Sequence, residues 1–331
     1  MKKTWKTEEF EMCTALSLSG RHHLFGRTLD LEKSYGEGVV ITQRNYAWRF
    51  RHMSAAEHNP AIIGMACVFE GYPLYYDAIN EHGLAMAALN FPKSAVYRDV
   101  TEGRVNIVSY ELIPWILSRA SSVREAVELL SEVNVTNESV SDELPATPLH
   151  WMIADRHESV TVEAVADWLR IYENLFGVLT NEPPFPYHEA HVAEYMHLSS
   201  AGSQNRFAPS VELVPYSRGM GAIGLPGDYS SPSRFVRAVF AKSNTETGGS
   251  EADEISAFFH VLGTVSTPSG CVRSESGDAV RTIYTSCADT DTLTYYFTTY
   301  ENRRIRGVRL QADGDELRFH SIGGAEDILF I

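Results

Sequence analysis

The chain has 331 residues, 44% of them hydrophobic and 11% aromatic, which is ample for a large packed core. A formal net charge of −15, with acids spread along the whole length, excludes nucleic acid or another polyanion as the expected partner. The longest apolar stretches, such as 61–69, are far shorter than a bilayer span, which excludes insertion into a membrane as a helix.

From the N-terminus, residues 1–12 are polar, rich in lysine and glutamate, and lack the apolar h-region of a secretory signal, so the cytoplasm is the expected compartment. Strand patterns then recur at 39–42, 61–69, 84–90, 151–154, 160–165, 292–299 and 308–310. Many are near-continuous apolar runs, as expected for strands buried on both faces. Helical patterns lie between them. Ser122 and Glu125 form a capping box for a helix to Leu130, and Ser231 as N-cap with Pro232 as first residue starts a helix carrying Phe235, Val236, Val239 and Phe240. Ser250 and Asp253 open another, with Phe258, Phe259 and Leu262. Strands gathered in runs predict an α+β arrangement of layers rather than βαβ alternation. The linker-like stretch 243–250 is too short to divide the chain, so one domain is expected.

Most motifs of enzyme chemistry are missing: GxSxG, GxxxxGK, GxGxxG before a helix, and HExxH. His188, His191 and His197 come nearest to a metal cluster, but on a predicted helix they read more simply as a solvated face, and no metal is expected. His22 and His23 read as surface residues of a turn, and His260 as a helix residue. Cys13, Cys67, Cys271 and Cys287 show no CxxC spacing, which argues against a zinc site and a disulfide framework. Cys67, inside an apolar run, reads as a small buried hydrophobe.

Cys13 has a different context, Met12-Cys13-Thr14, followed by Phe25-Gly26-Arg27-Thr28-Leu29-Asp30. If Cys13 becomes the first residue, it carries both a thiol and an α-amine that titrates near neutral pH, a nucleophile with its own base. Arg27 can favour the thiolate by its charge, and Asp30 can hold the amine by hydrogen bonding.

With these residues the sequence resembles the choloylglycine hydrolase family, which contains bile salt hydrolases and penicillin V acylases. Further motifs carry the resemblance from Cys13 to Ile331: Asn80-Glu81-His82-Gly83-Leu84, Leu89-Asn90-Phe91-Pro92, Leu149-His150-Trp151-Met152, Gly177-Val178-Leu179-Thr180-Asn181, Leu225-Pro226-Gly227-Asp228, Ser233-Arg234-Phe235, Tyr284-Thr285-Ser286-Cys287 and Tyr300-Glu301-Asn302. The resemblance implies a four-layer αββα N-terminal-nucleophile hydrolase sandwich with two antiparallel sheets. It implies a single catalytic domain over 13–331, with 1–12 a leader or mis-assigned start that is absent from the active enzyme. By position, Cys13 would attack the amide carbonyl, Asn181 and the backbone N–H of Asn90 would form an oxyanion hole, and Arg27, Asp30 and Arg234 would complete the polar surroundings.

The resemblance implies no cofactor, and a homo-oligomer, by family a tetramer, with 188–221 as the inserted segment relatives use in assembly. Asn90 followed by Phe91-Pro92 resembles the bile salt hydrolase pattern, so the expected partner is a small-molecule substrate, a glycine- or taurine-conjugated bile acid. Penicillin V acylase activity and a catalytically silent binder of amphipathic acids are the alternatives.

Overall fold

The structure is a computed structural model that describes residues 12–53, 58–141, 145–314 and 317–324. The chain opens with the hairpin β1 (Met12–Ser19) and β2 (His23–Leu31). A meander of β3 (Gly38–Thr42), β4 (Ile62–Phe69), β5 (Tyr72–Asn80) and β6 (Ala85–Asn90) follows. A crossover contains β7 (Val105–Val108), α1 (Leu112–Leu117), α2 (Val123–Leu130) and β8 (Val133–Thr136). Then come β9 (Leu149–Ala154), β10 (Ser159–Val165), β11 (Trp168–Glu173), the short β12 (Val178–Leu179) and the helices α3 (Phe185–Val192), α4 (Ser231–Asn244) and α5 (Glu251–Gly263). The chain ends through β13 (Val272–Arg273), β14 (Ala279–Asp289), β15 (Thr294–Thr299), β16 (Arg306–Arg309) and β17 (Arg318–Ser321).

Two antiparallel sheets result. One runs β12-β1-β2-β14-β15-β16 with β13 beside β14, and the other runs β11-β10-β9-β6-β5-β4-β3-β17. Alternation along the strands explains why both bury two faces. In β3 and β6, Val39, Ile41, Ala85, Ala87 and Leu89 pack in the core shared with the first sheet, α4 and α5. Their neighbours Val40, Met86 and Ala88 pack against α1 and α2 in a second core. The layers are therefore α, β, β, α, as the resemblance implied.

The predicted helix starts hold at Ser122, whose side chain accepts the Glu125 N–H, and at Ser250, which makes a full capping box with Asp253. In α4 the N-cap is Ser230 rather than Ser231, whose hydroxyl instead donates to Thr180 Oγ1 at 2.8 Å. The motif at Asn80 is a structural turn between β5 and β6. Its side chain accepts the N–H groups of His82 and Leu84 and donates to the last carbonyls around α1, Leu117 O and Ala120 O.

Candidate active site

Directly opposite residues of an antiparallel pair point to the same face. Cys13 lies opposite Leu29 and Ala15 opposite Arg27, so cysteine and arginine share one face of the hairpin. Thr14 opposite Thr28, and Met12 opposite Asp30, share the other. Arg27 reaches carbonyls of the facing sheet and Arg234 of α4 reaches Thr14, which fixes the first face as inter-sheet and the second as helix-side. Close packing of β2 on β14 requires the glycine before Arg27, since a Cβ on Gly26 would sit 2.1 Å from Ser286 O.

Arg27 is buried and anchored on several sides. Nη1 donates to Ala88 O and, at 3.2 Å, to Tyr76 O, Nε donates to Thr28 O at 3.2 Å, and Nη2 donates to Cys13 Sγ. A guanidinium held against the sulfur in this way favours the thiolate. From the opposite side, Arg234 Nη1 donates to Cys13 O and, at 2.8 Å, to Thr14 Oγ1, while Nη2 donates to Asn181 Oδ1 at 2.8 Å. Burial lowers the Arg234 pKa, and the negative charge of Asp30 and Cys13 works against that shift.

Asn181 arrives through a tight turn at Gly177, whose φ of +59° suits glycine, and through the pairing of β12 with β1. Its Oδ1 accepts the Cys13 N–H at 2.8 Å, and its Nδ2 donates to Asn90 O at 2.9 Å. The ladder explains the orientation of Asn90. Phe91 N–H donates to Pro148 O at 2.8 Å, which makes 91 and 148 a hydrogen-bonded pair; Asn90 opposite Leu149 is then a non-bonded pair, with its N–H and C=O turned away from β9. On that edge Ala88 O takes Arg27 and Asn90 O takes Asn181.

Asp30 is fully buried, with Oδ2 accepting from Thr28 Oγ1 at 3.0 Å and Oδ1 from Thr282 Oγ1. Burial lifts its pKa to about 6, against the pull of the Arg234 charge, the two hydroxyls and Arg27. The structure thus gathers Cys13, Arg27, Asp30, Asn90, Asn181 and Arg234. The Cys13 nitrogen, which the sequence reading gave to Asp30, donates to Asn181.

Two groups beside this cluster were given no role by the sequence. Asp77, buried on β5, accepts from Tyr284 at 2.8 Å, Ser286 at 2.9 Å and Tyr295 at 2.6 Å, and Ser286 Oγ also accepts the Arg27 N–H at 3.0 Å. Burial raises the Asp77 pKa, and Arg27 is the largest opposing influence. The second group lies behind Asn181. His188, expected on a solvated face, is buried; its Nε2 donates to Asn181 O at 2.9 Å and its ring stacks on Phe235. Burial pushes its pKa down to about 4, so it is neutral at pH 7. Glu163 Oε1 accepts the Phe185 N–H at 2.9 Å and meets His150 Nδ1 at 3.2 Å, while the His150 ring stacks on Phe91 at 4.3 Å. His23, also expected at the surface, is buried between Ser17 and Thr290. His23 uses both ring nitrogens, a neutral imidazole set between two hydroxyls, whereas His188 uses Nε2 on the Asn181 carbonyl and packs its ring against Phe235. Cys67 is half-buried on β4.

Facing antiparallel sheets between helical layers, with the candidate nucleophile at the head of a central strand, are the architecture of N-terminal-nucleophile hydrolases. Within that class the chain belongs to the linear amide C–N hydrolases of the choloylglycine hydrolase family, whose family model matches residues 13–317. It is similar to a bile salt hydrolase/transferase from Lactiplantibacillus plantarum, with 46% identity over 299 residues covering 90% of this chain and 92% of that protein. A variant of the conjugated bile acid hydrolase from Clostridium perfringens superimposes with a TM-score of 0.89 at 32% identity, covering 97% of this chain and 100% of that one. Penicillin V acylase from Agrobacterium tumefaciens, at 18% identity and a TM-score of 0.74 over 96% of this chain and 94% of that one, shares the fold.

Proposed function

We propose that the chain is a bile salt hydrolase that cleaves the amide bond of glycine- or taurine-conjugated bile acids. The observation that carries the reading is the convergence of Arg27 on the Cys13 sulfur with Asn181 and Arg234 on the Cys13 main chain, in a chain similar to a conjugated bile acid hydrolase over nearly its full length. In this reading the Cys13 α-amine takes the thiol proton and the thiolate attacks the amide carbonyl. The oxyanion meets Asn181 Nδ2 and the Asn90 N–H. The ammonium then gives its proton to the departing glycine or taurine nitrogen, leaving a thioester that water hydrolyses to the free bile acid. Asp30, Arg27 and Arg234 hold the charges in place.

The same reading has residues 13–331 act as one catalytic domain, supported by the pairing of β2 with β14 and of β3 with β17, which ties both ends of the chain into each sheet. A primary amine at Cys13 needs residues 1–12 removed; residues 1–11 lie outside the described residues. A homo-oligomer, by family a tetramer, is supported by exposed apolar side chains after α3: Met196, Phe207 and Tyr216 are 84, 95 and 85% exposed. Among the described residues no helix is long and apolar enough to cross a membrane, and the proposed compartment is the cytoplasm. Steady-state rates on glycocholate, taurocholate and penicillin V test the function. Turnover of penicillin V well above both bile salts would overturn it in favour of the acylase reading.

A further inference from the structure

Asp30 lies on the helix side of β2, on the face of the hairpin turned away from the second sheet. Among the described residues the charge of Arg234 from α4 favours its carboxylate most and that of Arg27, on the opposite face of the same strand, less, while β1 places Met12 opposite it and β14 brings Thr282. Thr282 is held in a particular way. It sits at the irregularity of β14 between Thr282 and Tyr284, its N–H donates to Thr267 O at 3.0 Å, and its Oγ1 accepts the Thr267 N–H at 2.8 Å. With one hydroxyl lone pair taken by that N–H, the hydroxyl proton is aimed at Asp30 Oδ1, while Thr28 Oγ1 supplies the other oxygen at 3.0 Å.

We infer that Thr282 and Thr28 are positioning residues for the reaction, whose two hydroxyl protons hold Asp30 as a carboxylate beside Cys13. This rests on the reading above in which Asp30 serves catalysis. Donors aimed at both oxygens favour the charged form of a carboxyl that burial alone would leave protonated. The far side of Thr282 lines a cavity of about 440 Å3 among hydroxyl-bearing residues such as Thr285 and Thr298. Truncation to alanine would let water from this cavity replace the hydroxyl, so valine, which keeps the volume, is the informative change.

The test is the pH profile of kcat/KM on glycocholate for Thr282→Val, Thr282→Ser, Thr28→Val and Asp30→Asn, with a thermal melt of each. Losing one donor to an ionised carboxylate should move the acidic limb of Thr282→Val and of Thr28→Val up by about one pH unit. Activity recovers at alkaline pH, and Thr282→Ser restores the wild-type limb. A loss that is uniform across pH, which a merely structural role would give, overturns the inference, as does a Thr282→Ser profile matching that of valine. If Thr282→Val does not fold, Thr28→Val and Thr282→Ser still decide it. An inactive Asp30→Asn with unmoved limbs in the threonine variants overturns this inference alone, whereas an Asp30→Asn at wild-type rate overturns the catalytic reading of Asp30.

Discussion

The side-chain carbonyl of Asn181 accepts the N–H of Cys13 at 2.8 Å, across 168 positions of sequence. The same oxygen accepts from Arg234, and the amide nitrogen donates to Asn90 O. One side chain therefore fixes the head of β1, the reach of α4 and the end of β6 at once.

Asn181→Ala should reduce kcat on glycocholate by about 100- to 1,000-fold, the usual cost of removing one oxyanion donor. Its KM should change little, because the donor acts on charge that appears only in the transition state. A loss confined to KM, in a protein with a wild-type circular dichroism spectrum, would assign Asn181 to substrate binding instead.

Arg27 and Cys13 make a second test. Cys13→Ser should fold and lose nearly all hydrolysis, whereas Cys67→Ala, half-buried on β4, should keep its activity and lose some stability. Arg27→Met removes the cation beside the sulfur, so alkylation of Cys13 by iodoacetamide at pH 7, followed by peptide mass spectrometry, should slow by about tenfold or more. Unchanged labelling would mean that Arg27 serves packing rather than the thiol.

What the sequence made legible follows from where the information lies. Cys13, Arg27 and Asp30 sit within one hairpin, so their spacing already carries the chemistry. Asn90, Asn181 and Arg234 come from three distant elements, and only the resemblance could assign them. Apolar runs such as 61–69 and 84–90 were readable as strands because both faces are buried. β5 escaped because Tyr72–Asn80 mixes tyrosines with a buried aspartate, and β14 because its apolar residues are interrupted by buried Thr282 and Ser286, which bond Asp30 and Asp77. His188 was misread for the same reason: helical periodicity ranks imidazole as polar, and only the tertiary structure supplies its partner, the Asn181 carbonyl.

His188 also predicts a pH dependence of stability. Its folded pKa of about 4 lies below the ordinary 6.5 because the ring is buried. Between those values the unfolded chain binds a proton that the folded chain refuses, so this group's contribution is present in full above pH 6.5 and is lost as pH falls toward 4. The loss amounts to about 3 kcal/mol at most. Asp30, raised to about 6, has the opposite sign between 3.8 and 6, but its influence is common to wild type and variant and cancels. Urea midpoints at pH 7.5 and 4.5 should therefore lie closer together in His188→Gln than in the wild type. Equal spacing in the two proteins would refute the neutral, buried assignment.

The last prediction concerns the base. In the proposed mechanism the Cys13 nitrogen must accept the thiol proton, which an amide cannot do and an α-amine with a pKa near 8 can. Met12 lies in β1 opposite Asp30, immediately before the nucleophile. Losing it shortens the hairpin by one pair and leaves an ammonium that keeps Asn181 Oδ1, already at 2.8 Å from that nitrogen, as its acceptor. The cost in folding is small, since Met12 is not fully buried and the strand keeps its pairing from Cys13 to Ser19. Protein expressed from Met12 should lose that methionine, show the mass of a chain beginning at Cys13, and turn over glycocholate. A full-length chain that retains residues 1–12 should be inactive, and should gain activity only in proportion to the fraction whose mass shows Cys13 exposed. Full activity in protein of intact full-length mass would exclude the α-amine as the base, and with it the N-terminal-nucleophile mechanism for this chain.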